Sequence, residues 1–100
     1  YVRREAATAL TDTQDDDALK AMADVVRDKK DDKYVREKVA NAMTEPQWNP
    51  YALKAMADVV RDKKDDTYVR REAATALTDT QDDDALKAMA DVVRDKKDDK

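Results

Sequence analysis

At 100 residues the chain has the length of one domain, and its inventory is narrow: 44% charged, 41% hydrophobic, with no Gly, His, Cys or Phe. Net charge is only −4, because acidic and basic residues are interleaved, and without a one-signed patch nucleic acid is disfavoured as a partner. The missing Cys and His remove disulfides and thiolate or imidazole metal sites, and no apolar run approaches the roughly 20 residues that cross a bilayer.

In chain order the sequence resolves into one unit written three times. Residues 1–33 return without a change as 68–100, and residues 34–67 are a diverged copy one residue longer. The period predicts a first helix over 1–10, with Val2, Ala6 and Ala9 on one stripe and Leu10 at its edge. TDTQDD then breaks the pattern, since Thr and Asp compete for backbone hydrogen bonds. Asp16 or Asp17 is the predicted N-cap of a second helix, 18–29, with Ala18, Leu19, Met22, Val25 and Val26 inward and Lys20, Asp24 and Arg27 outward. Lys29 and Lys30 suit its C-terminus; Asp31 and Asp32 suit a turn or the next helix start.

The middle copy keeps this plan with edits. Val39 and Met43 replace Ala6 and Leu10, and the connector becomes TEPQWNP, where Asn49 followed by Pro50 reads as a cap and a first helical residue. Ala outnumbers Leu 17 to 5, so the core is expected to be thin and stability to come from stacking units. With no signal-peptide pattern, the expectation is a soluble chain, cytoplasmic if made inside cells.

A two-helix unit of 33 to 34 residues is the period of an α-solenoid. The signatures of tetratricopeptide and ankyrin repeats are absent. Val2, Arg3, Ala6, Ala7, Ala9 and Leu10, then Asp15, Ala18, Leu19, Met22 and Val26, follow the pattern VRxxAAxALGxxGDxxAVxxLxxxLxD. In this the chain resembles the short HEAT-like repeats of phycobilin lyase subunits and of engineered helical-repeat scaffolds, over its full length. Both family glycines are replaced, by Thr11 and Gln14. The resemblance implies an all-α fold, an α-solenoid of three helix-turn-helix repeats (1–33, 34–67, 68–100) in a single domain. It also implies that an Asp ahead of each Val-Arg bonds the Arg of the same or the neighbouring repeat, Asp31 or Asp32 with Arg36 and Asp65 or Asp66 with Arg70, the longer connector leaving the partner open.

The Asp clusters 15–17 and 82–84 lack the alternating ligands, central Gly and closing Glu of a calcium loop, so they are read as helix caps. No nucleophile, His or phosphate-binding Gly loop accompanies them, so neither catalysis nor a cofactor is expected. Outward residues of the second helices are the same in every copy, whereas the middle copy differs at Glu37, Lys38, Asn41, Trp48 and Tyr51. Those five are the candidate contacts for a protein or peptide partner, with Trp48 alternatively folding back over Met43 or Met56. The expectation is a non-catalytic scaffold, structural or protein-binding. Identity over 33 residues points to a consensus-built chain or a recent duplication. The alternatives are a natural interaction module specified by its middle repeat, or by family analogy an enzyme's accessory subunit. Repetition also predicts head-to-tail self-association at high concentration, Lys100 of one copy near Tyr1 of the next.

Overall fold

A computed structural model describes residues 2–10, 13, 15–44 and 48–95. Among these, six helices follow in order and no strand: α1 Val2–Ala9, α2 Asp16–Arg27, α3 Lys33–Ala42, α4 Pro50–Arg61, α5 Thr67–Ala76 and α6 Asp83–Arg94.

Side-chain caps set the starts. Asp15, Asn49 and Asp82 accept from the backbone N–H of Ala18, Ala52 and Ala85, satisfying a donor that the first turn leaves open. The cap of α2 is therefore Asp15, one or two residues before the expected Asp16 or Asp17. Those two occupy the first turn instead, where the helix dipole favours negative charge, and Pro50 holds the matching place in α4. Helix α2 closes at Asp28, so Lys29 and Lys30 lie in the following turn rather than in the helix. Asp32 and Asp66 start the next helices, each carboxylate accepting two N–H groups.

The inter-helix turn forms without glycine. In the third copy Asp79 takes the left-handed region, φ 74°, where Asp is among the residues tolerated, and Thr80 N–H closes on the Leu77 carbonyl at 3.0 Å. Thr11 and Gln14 themselves lie outside the described residues.

Helices α1, α3 and α5 pack side by side in one layer and α2, α4 and α6 in the other, while α2 on α3 and α4 on α5 join the layers. The result is a slab of 37 × 27 × 16 Å, an all-α solenoid. Its core is one continuous apolar cluster, and its largest fully buried side chains include Met43 and Met56 of the middle repeat. The predicted stripe of the first helices is buried in α3 (Val35, Val39) and α5 (Val69, Ala73). In α1 it is not: Val2 is 82% exposed, and Ala6 and Ala9 are exposed too. Val35 and Val39 face the preceding repeat, sharing a hollow with Ala6, Leu10, Met22 and Val25. At the start of α1 the position equivalent to Val35, Val2, stands open.

Candidate functional site

Ion pairs run both within and between repeats, and the innermost of them is Arg36–Asp65. Arg36, from α3, is buried with Asp65 at 2% and 3% side-chain exposure. Its two terminal nitrogens donate to both Asp65 oxygens at 2.7 Å, and Nε and Nη2 also donate to the Val26 carbonyl at 3.0 and 2.5 Å. One guanidinium thus ties the C-terminal end of α2, where the dipole favours a cation, to the connector after α4. Arg70 repeats the first half, donating to the Val60 carbonyl at 3.0 and 2.8 Å. Arg3 repeats the second, bidentate to Asp31 at 2.6 and 2.5 Å.

These partners correct the expected pairs. Asp31 serves Arg3 and Asp65 serves Arg36, while Asp32 and Asp66 cap helices. The reason is geometric: an Asp just ahead of Val-Arg either caps that helix or points at the first helix of the repeat it closes, 28 or 29 residues back. Hydrogen bonds from Arg3 lower the Asp31 pKa to about 2. At Asp65 burial works against ionisation, yet bonds from Arg36 and the Asp66 N–H hold its pKa below the ordinary value.

The second-helix layer carries a further ladder. Arg27 reaches Asp58 at 3.3 Å, and Asp58 also takes Lys54 and Arg61, at 3.0 and 3.2 Å. Arg61 continues to Asp84 at 2.8 Å, Lys29 meets Asp62 at 2.7 Å, and Lys63 pairs with Asp95. Bonds from Lys29 lower the Asp62 pKa and bonds from Arg61 lower that of Asp84. Sequence reasoning missed this ladder by treating these side chains as merely outward. The available signal was spacing: Lys29 and Asp62 stand 33 residues apart, one repeat.

Most of the five candidate contacts are engaged within the molecule. Tyr51 donates its hydroxyl to Asp24 at 3.0 Å, and its ring lies under Lys20 and Arg27, 5.7 and 5.3 Å from the centroid. It occupies the position that Asp84 holds in the third copy, so Arg27 meets a ring where Arg61 meets a carboxylate. Asn41 donates to Glu72 at 3.4 Å. Trp48 is half-buried against the core cluster, its indole N–H shielded and without a partner among the described residues. Glu37 and Lys38 are half-exposed on α3. Among the described residues no group of acidic side chains has metal-site geometry, and no helix is long and apolar enough to cross a membrane.

A protein-family profile described as HEAT repeats matches residues 29–100. No curated protein and no solved structure matches.

Proposed function

The chain belongs to the HEAT repeats, and from that premise we propose that it is a non-catalytic scaffold, structural or protein-binding, whose binding surface is the outer face of α2, α4 and α6. HEAT repeats generally serve as protein-interaction scaffolds. What supports this reading most directly is the use made of charge. Among the described residues, each carboxylate with a lowered pKa owes it to a basic side chain brought in from another element or repeat: Arg3 to Asp31, Lys29 to Asp62, Arg36 to Asp65 and Arg61 to Asp84. These four carboxylates are therefore committed to architecture.

The outer face offers a repeated motif, Lys20-Asp24-Arg27, Lys54-Asp58-Arg61 and Lys87-Asp91-Arg94, suited to an extended partner of mixed charge. A chain so repeated fits a consensus-built or recently duplicated unit, and it is prone to stack head to tail. Isotope-labelled protein titrated with mixed-charge helical peptides tests the surface by NMR. Shifts spread over the Lys20, Lys54 and Lys87 turns support this face. Shifts confined to Glu37, Lys38 and the connector around Trp48 would move specificity to the middle repeat.

A further inference from the structure

Resting on the scaffold reading, we infer that the open face of α5 and α6 is a docking surface for a second copy of this chain, which seats on it by its α1 and α2 face. Equivalent residues mark both surfaces. Val93 is 85% exposed, whereas Val26 and Val60, at the same position in the other repeats, are 0% and 3% exposed under the following repeat. Val2 is 82% exposed where Val35 and Val69 are 6% and 0%. Leu86 is likewise exposed where Leu19 is buried.

The occupant follows from identity with an interface the fold already uses. Inside the chain α4 packs on α5 and α6. Residues 52–61 of α4 recur letter for letter as 85–94 of α6, residues 69–76 of α5 as 2–9 of α1, and α6 as α2. A second copy therefore presents to α6 the same helices that the third repeat presents to α4. The polar latches carry over as well. Arg3 of the second copy meets the Val93 carbonyl as Arg36 meets that of Val26 and Arg70 that of Val60. Arg94 meets Asp17 of the second copy as Arg61 meets Asp84. The contact is heterologous, so it propagates rather than closing in pairs.

One feature of the first-helix layer weakens this junction. At successive repeats one position reads Arg4, Glu37, Arg71 and the next reads Glu5, Lys38, Glu72, so sign alternates along the slab. Between copies the alternation fails, because Arg71 comes beside Arg4 and Glu72 beside Glu5. Ala6 and Leu10 of the second copy also stand where α3 has Val39 and Met43, leaving less apolar surface to bury. Stacking is therefore concentration-dependent. The expected Lys100–Tyr1 proximity lies outside the described residues.

Sedimentation from micromolar to millimolar protein tests the inference. Mass should grow with concentration, and Val2→Asp or Val93→Asp should each leave a monomer, since both positions are too exposed for the change to disturb folding. Mixing those two variants should yield a dimer and nothing larger, because each supplies the end that the other lacks. Growth that survives both single variants would mean another face is used, and a mixture that stays monomeric would equally overturn the end-to-end geometry. Circular dichroism of the same samples separates the two failures. A helical strict monomer sinks stacking alone, whereas loss of helix sinks the repeat reading and stacking with it.

Discussion

The Arg36 guanidinium has lost nearly all of its water, and its recovery depends on two oxygens of Asp65 and one carbonyl of Val26. Desolvating an ion pair is so costly that the pair as a whole adds little net stability, yet removing one member strands the other. Arg36→Ala should therefore cost about 3–5 kcal/mol in urea unfolding, whereas Arg36→Met combined with Asp65→Leu should cost much less. A single variant no worse than the double would mean that Asp65 is not left unpaired. Acid should act through the same groups. Asp31, Asp62, Asp65 and Asp84 all have pKa values lowered in the folded chain, so between those values and the unfolded value of 3.8 the unfolded chain binds more protons. Their contribution is complete above about pH 5 and is lost as pH falls toward 2. With no His to titrate, the melting temperature should stay nearly flat from about pH 5 to 8 and then drop steeply in acid, which a pH series of thermal melts reads directly.

At the scale of the element, caps and cover decide where helices start and what shields them. Asn49→Ala and Asp82→Ala each remove one side-chain acceptor from a helix start and should cost about 1 kcal/mol, against a few tenths for a change to Gly. Trp48 shields the core beside α4, so its fluorescence should be blue-shifted and Trp48→Ala should lower the melting point. Emission typical of water with unchanged stability would return it to the role of contact anchor. Both helices of each repeat were legible because a 3.6-residue apolar stripe in an Ala-rich, Gly-free background has few other readings. The α2 cap was misplaced on Asp16 or Asp17, because three consecutive aspartates hide which one caps; only the register of Asn49-Pro50 with Asp15-Asp16 points to Asp15. What stayed hidden was the pairing of charges. A lone unit shows Arg3 and Asp31 28 residues apart, and their meeting depends on how far the connector returns the chain along α1. Tyr51 misled for the same reason, since an aromatic that looks free in one helix lies under Lys20 and Arg27 of the neighbouring one.

For the whole molecule, stability is a property of neighbours. The middle repeat is covered on both sides and contributes Arg36, Met43 and Met56 to the largest fully buried side chains, whereas Val2 at one end and Val93 at the other are open. In a stack of this kind each unit adds its own unfavourable folding term, and each junction adds a favourable one, so three units have two junctions and two units have one. Deleting residues 34–67 joins two identical units through one junction, and that junction lacks Val39, Met43 and the alternating charges of Glu37 and Lys38. With Ala as the commonest apolar residue, little area is left to offset the ordering of the backbone, roughly 1–2 kcal/mol per residue. The shortened chain should therefore be largely unfolded at room temperature in dilute solution, with weak helical dichroism and a broad melt. Inserting a second copy of residues 34–67 should do the opposite, raising both the urea midpoint and the slope, which scales with surface exposed on unfolding. A two-unit chain as stable as the full one would show that each hairpin stands alone, and the junction terms would then be too small to drive either the fold or the stacking of copies.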